Sequence, residues 1–161
     1  MAKSNNPMSS LNRENCSTLE ISECVASGEP TASLTLPFEL RQKSRLLTQL
    51  DSGEKAALLL PRGAVLRQGD LLRSRCGRVI EVRAAAETVS TAVTTDPILL
   101  ARAAYHLGNR HIALEIASGR LRYLHDPVLD GLVRQLGLTV TIEPAPFEPE
   151  AGAYGGHHHG H

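Results

Sequence analysis

Two segments, Asp96-Pro97-Ile98-Leu99-Leu100-Ala101-Arg102-Ala103-Ala104-Tyr105-His106-Leu107-Gly108 and Asp126-Pro127-Val128-Leu129-Asp130-Gly131-Leu132-Val133-Arg134-Gln135-Leu136-Gly137, decide the fold of this chain. Each opens with an aspartate that can accept hydrogen bonds at the N-cap, followed by a proline at the first helical position, where a missing N–H is no loss. Leu100, Ala103, Ala104 and Leu107 recur at i, i+3, i+4, i+7, and Val128, Leu129, Leu132, Val133 and Leu136 form a second stripe. Gly108 and Gly137 read as the stops, so the spacing predicts two amphipathic helices. Glu87 to Val93 precedes them as a strand. Between them Ile112, Leu114 and Ile116 alternate as a strand that begins at His111, Ser118-Gly119 turns the chain, and Leu121 to Leu124 returns. A two-residue turn there places Glu115 opposite Arg122, an attractive cross-strand pair. Leu138 to Ile142 supplies the last strand. The order β-α-β-β-α-β predicts a ferredoxin-like domain over 86–146.

Upstream the texture is different. Thr18 to Val25, Ala32 to Leu40, Ser44 to Leu50, Lys55 to Leu60, Asp70 to Ser74 and Arg78 to Arg83 are short β-prone runs. Turn residues such as Asp51-Ser52-Gly53 and Pro61-Arg62-Gly63 divide them, which predicts a small all-β domain over 17–85. Residues 1–16 are polar and aperiodic, a disordered lead-in. Pro144, Pro146 and Pro149 then set an extended segment, leaving 147–161 as a flexible, His-rich tail. The expected class is α+β: a β domain, a ferredoxin-like domain and a tail.

Composition removes several functions. The 161 residues carry 17 Lys and Arg against 17 Asp and Glu, so no basic field exists to attract nucleic acid or an anionic membrane. Aromatics are 3% and Trp is absent, which leaves no stacking platform for single strands. No apolar run approaches a membrane span and the first residues hold no signal core, so a cytoplasmic protein is expected. Cys16, Cys24 and Cys76 are odd in number and form no CxxC pair. A GxSxG elbow, a phosphate loop and an HExxH helix are all missing, so the chain reads as a non-enzyme.

Histidine breaks the blandness. Four of the seven, His157, His158, His159 and His161, crowd the last five residues. Imidazole, with an ordinary pKa of about 6.5, is mostly neutral at pH 7 and suits nickel, copper and zinc. An engineered tag is commonly an unbroken run of six; this run is short and interrupted by glycine, which favours a native segment. His111 is the second candidate, its ring on the face opposite the Ile112, Leu114 and Ile116 row. One imidazole cannot fill a coordination shell, but a homodimer axis near His111 would bring two together, with tails from both chains to complete it. His125 falls opposite Ile112 in the predicted register and is an accessory ligand, whereas His106 lies off the apolar stripe of its helix and reads as a surface residue.

The motifs Leu107-Gly108-Asn109-Arg110-His111, Gly119-Arg120-Leu121-Arg122-Tyr123 and Leu136-Gly137-Leu138-Thr139-Val140 now stand together. With Pro146-Phe147-Glu148-Pro149-Glu150-Ala151-Gly152-Ala153-Tyr154 before the His-rich end, and Leu58-Leu59-Leu60-Pro61-Arg62-Gly63 and Leu66-Arg67-Gln68-Gly69-Asp70 upstream, they resemble the UreE family of urease accessory proteins, the nickel metallochaperones. The resemblance implies a homodimer, a first domain similar to a peptide-binding module of Hsp40-type chaperones, and nickel held by His111 at the dimer interface, with the tail adding ligands. Copper or zinc would compete for the same donors in vitro. It also implies that Ni2+ passes to the urease apoprotein complex and its accessory GTPase. Many members carry a His-Asp-His run where this chain has His125-Asp126-Pro127, so His125 keeps half of that pair. Two other readings are a nickel buffer without a delivery role and an acylphosphatase-like enzyme. The second suits poorly, because Asn109 and Arg110 follow the first helix, whereas a phosphate-binding Arg would precede it.

Overall fold

A computed structural model describes residues 18–152. Its strands fall into two sheets. The first contains β1 (Leu19–Val25), β2 (Ala32–Leu36), β3 (Arg45–Gln49), β4 (Lys55–Leu59), β5 (Leu71–Ser74) and β6 (Val79–Ala84), in the order β2-β6-β5-β1-β4-β3. The pairs β1 with β4 and β2 with β6 are parallel, and the others antiparallel. Apolar side chains from these strands meet in one core, where Ile21, Leu34, Leu58, Leu72, Ile80 and Val82 lose all contact with water. Each such burial stabilises by about 1.5–3 kcal/mol, the main favourable term in a sheet without tryptophan. The predicted strand Ala32 to Leu40 stops at Leu36 instead. Pro37 follows it, and a four-residue helix, α1 (Phe38–Arg41), turns the chain away. The first half is therefore nearly, but not wholly, β.

The second sheet takes β7 (Ala86–Val93), β8 (Glu115–Ala117), β9 (Arg120–Leu124) and β10 (Thr139–Pro146), in the order β10-β7-β9-β8, all antiparallel. Helices α2 (Pro97–Asn109) and α3 (Pro127–Leu136) cover one face. Both open as their Asp-Pro pairs dictate: Asp96 Oδ1 accepts from the Ile98 and Leu99 amides at 2.9 and 3.3 Å, and Asp126 Oδ1 from those of Val128 and Leu129 at 2.8 and 3.3 Å. Ala103, Leu107, Leu129 and Val133 then pack on Ala92, Leu121 and Tyr123. Glu115 pairs with Arg122 as the two-residue turn requires, and the Arg122 Nη1 to Glu115 Oε1 distance is 3.4 Å.

Three predicted boundaries move. Helix α2 continues one residue past Gly108, to Asn109. The strand expected from His111 shrinks to Glu115–Ala117, with Ile116 exposed at the sheet edge. The last strand runs on to Pro146, because β10 is an edge strand paired only with β7, where prolines at 144 and 146 interrupt nothing.

The two sheets are fastened together. Arg41, at the end of α1, has no solvent exposure. Its guanidinium donates to the carbonyls of Leu36 at 3.1 Å and Leu66 at 3.0 Å, to the Phe147 carbonyl, and to the Glu148 carboxylate. Phe147 is equally buried, edge-on to Phe38. Arg67 donates to the Pro149 carbonyl at 2.6 Å and Glu115 accepts from the Glu148 amide at 2.9 Å. Phe147 to Pro149, assigned to a flexible tail by the sequence reading, instead form a strap between the sheets. Among the described residues no helix is long and apolar enough to cross a membrane.

Candidate metal site

The two helices of the second sheet end in the same way, with one substitution that matters. After α3, the Gly137 amide bonds the Arg134 carbonyl at 3.0 Å and the Leu138 amide bonds the Val133 carbonyl at 3.3 Å, with Gly137 at φ 106°. This is a Schellman stop, which needs a left-handed residue and normally takes glycine. After α2, the His111 amide bonds the Gly108 carbonyl at 2.9 Å and the Ile112 amide bonds the Leu107 carbonyl at 3.3 Å. The left-handed residue here is His111, at φ 56°, and among the described residues it is the one non-glycine with positive φ. A β-carbon in this conformation costs about 1–2 kcal/mol. Sequence reasoning placed the stop at Gly108 and His111 on a strand; the structure puts His111 at the apex of the turn, exposed. Such a strained, projecting side chain is a pointer to function.

His111 borders two hollows. One, of about 280 Å³, is lined by His111, Ala113, Leu124, His125, Asp126 and Leu129, so His111 and His125 share a wall. The other, of about 500 Å³, brings His111 beside Phe38 and Val65 of the first half and Glu150 to Gly152 beyond the strap. The chain leading to His157, His158, His159 and His161 thus leaves the described fold next to His111. Those four residues lie outside the described residues.

His125 follows β9, its amide bonded to the Thr88 carbonyl at 3.1 Å, rather than lying opposite Ile112 in a ladder, which ends at Glu115 and Arg122. Its Nδ1 lies 3.2 Å from Asp130 Oδ2 and 3.1 Å from Ser90 Oγ. Asp130, on the first turns of α3, is 1% exposed, and its other oxygen accepts from the hydroxyl of fully buried Tyr123 at 2.8 Å. Burial first, then the hydrogen bond and charge of Asp130, push the Tyr123 phenol well above the ordinary tyrosine range. Sequence reasoning missed Ser90, Tyr123 and Asp130. Asp130 lies four residues after the N-cap Asp126, but nothing in its neighbours distinguishes it from an exposed helix acid. Among the described residues no three His, Cys, Asp or Glu side chains gather into a metal shell.

Two imidazoles, His111 and His125, thus share a hollow at one end of the second layer, and comparison with known proteins places the chain among the accessory proteins of urease. The UreE urease accessory protein N-terminal domain matches residues 13–85 and its C-terminal domain residues 78–161. The urease accessory protein UreE of Alkalilimnicola ehrlichii is 54% identical over 139 residues, covering 86% of this chain and 85% of the relative. That of Citrobacter koseri is 55% identical over 136 residues, covering 81% and 90%, and that of an Enterobacter species 58% over 125 residues, covering 77% and 82%. The chain belongs to the UreE family.

Proposed function

We propose that this chain is a nickel metallochaperone that serves urease maturation, capturing Ni2+ and delivering it to the urease apoprotein complex with its accessory GTPase. It acts as a cytoplasmic homodimer and not as an enzyme. In this reading the first sheet, residues 17–85, is the partner-binding domain, and residues 86–146 are a ferredoxin-like metal-binding domain, a label supported by the strand order β10-β7-β9-β8. The observation that carries the reading is His111: an imidazole at a helix stop where glycine would be cheaper, exposed between the hollow of His125 and the exit of the tail.

His111 from each protomer holds one shared ion, His125 lends a further donor, and His157, His158, His159 and His161 exchange the ion in and out. The described residues of one protomer offer no three-ligand group, which suits a site completed by a second copy and by the tail. An incomplete, partly exposed shell favours ligand exchange over storage. Copper binds such donors more tightly than nickel, so selectivity rests on availability and on the docking partners.

Calorimetric titration of Ni2+ into the protein truncated to residues 1–154 tests this. One ion per dimer is expected, lost in His111→Ala. No binding by the truncated protein, or binding indifferent to His111→Ala, would sink the interface assignment.

A further inference from the structure

The environment of His125 is asymmetric in a way that its role as an accessory ligand does not require. One ring nitrogen, Nδ1, faces two oxygens: Asp130 Oδ2 at 3.2 Å and Ser90 Oγ at 3.1 Å. The ring also lines the hollow that it shares with His111 and Asp126. An ionised carboxylate only accepts hydrogen bonds, so a neutral imidazole satisfies Asp130 only by carrying its proton on Nδ1. Asp130 cannot turn away to water. It is 1% exposed, Oδ1 is engaged by the Tyr123 hydroxyl at 2.8 Å, and Tyr123 is itself fully buried under α3. Among the described residues no buried side-chain nitrogen or oxygen lacks a partner, so this network is closed.

We propose that Asp130, held by Tyr123, is a positioning residue that fixes His125 as its Nδ1–H tautomer and leaves Nε2 as the bare donor for the metal. The inference rests on the nickel reading for what Nε2 binds, but not for the tautomer. A carboxylate behind an imidazole orients the ring, raises its basicity and supports a metal ligand in this way. Tyr123 and Ser90 face each other across the β9 and β7 ladder, and Asp130 descends from α3, so β7 and α3 each bring an oxygen to the one nitrogen while β9 holds the carboxylate from behind.

The test has a metal-free arm and a metal arm, both on the full-length chain. In nitrogen-15 NMR of the metal-free protein, at a pH where imidazole is neutral, His125 should show a protonated Nδ1 and a bare Nε2. Asp130→Asn keeps an acceptor for Tyr123 but turns an amide donor toward Nδ1, so the proton should move to Nε2. Tyr123→Phe, which leaves the carboxylate in place, should keep the wild-type tautomer. Nickel titration is then read in a background with His157→Ala, His158→Ala, His159→Ala and His161→Ala. There Asp130→Asn should weaken affinity about 10- to 100-fold and Tyr123→Phe much less.

A bare Nδ1 in the wild type, or an unchanged tautomer in Asp130→Asn, overturns the proposal without need of metal. So does a loss of affinity in His125→Ala that Asp130→Asn fails to reproduce. If the tautomers behave as stated but His125→Ala leaves nickel affinity untouched, the positioning by Asp130 stands and the ligand role of His125 in the nickel reading falls.

Discussion

His111 sits where the backbone would prefer glycine, and the two demands on that position can be separated. His111→Gly removes the side chain and the left-handed strain together, a relief of about 1 kcal/mol. The variant should melt about 2–4 °C above the wild type in a chain of this size while losing the nickel binding proposed for His111. Thermal melting and metal titration on the same sample check both halves. A lower melting temperature would mean that the imidazole itself braces the corner. In the role proposed for His111, strain kept at the site is the ordinary trade between stability and activity. This residue also shows where the sequence was readable and where not. His111 stood out as a donor, because an imidazole near a helix stop is visible in the letters. Its conformation did not, because a glycine three positions earlier offered the commoner stop, and only the hydrogen bonds of the Leu107 and Gly108 carbonyls show that the turn closes later.

At the level of elements, local signals served well where the chemistry is local. The Asp-Pro openings of α2 and α3 and the two-residue turn that sets Glu115 against Arg122 involve neighbours a few residues apart. Asp126→Ala removes the acceptor for the Val128 and Leu129 amides and should destabilise the protein by about 1 kcal/mol, measurable by urea unfolding. Since α3 carries Asp130 to His125, the same variant should also weaken nickel binding wherever His125 contributes; unchanged stability would show that water replaces the cap without loss. Strand ends were less legible. Whether Pro144 and Pro146 belong to a strand depends on which partner lies alongside, and only the assembled sheet makes β10 an edge. The same holds for Asp51, which accepts from the Ser33 hydroxyl at 2.6 Å and from the Thr35 amide and hydroxyl at 3.0 and 2.8 Å. Desolvation raises its pKa, but these hydrogen bonds outweigh it and hold the carboxyl below the usual range. A lowered folded pKa gives stability that is present above the unfolded value and lost as pH falls through the folded one. Asp51→Asn should therefore flatten the loss of stability on acidification below pH about 4, modestly, because water screens an exposed group. An unchanged acid profile in denaturant titrations would count against it.

Across the whole molecule the decisive residue is one that sequence patterning could not single out. Arg41 has its partners at Leu36, Leu66, Phe147 and Glu148, and an arginine near the end of a short helix reads as a surface charge until the fold closes on it. Arg41→Met fills much of the volume but takes the arginine donors from three carbonyls and a carboxylate, of which the Leu36 carbonyl keeps the Ala85 amide and Glu148 the Gln68 amide, and should cost about 3 kcal/mol. If the strap couples the sheets, the wild type unfolds in one step and the variant in two, which calorimetry would resolve; a variant of full stability with one step would deny the strap any role. The order of synthesis adds a further consequence. As the polypeptide leaves the ribosome, the early half can surround the guanidinium with only the Leu36 and Leu66 carbonyls, and the remaining partners, Phe147 and Glu148, arrive 106 and 107 residues after Arg41. A nascent chain is thus left with an unfinished seam until the Phe147-Glu148 segment emerges, so maturation of the first sheet is tied to synthesis of the second.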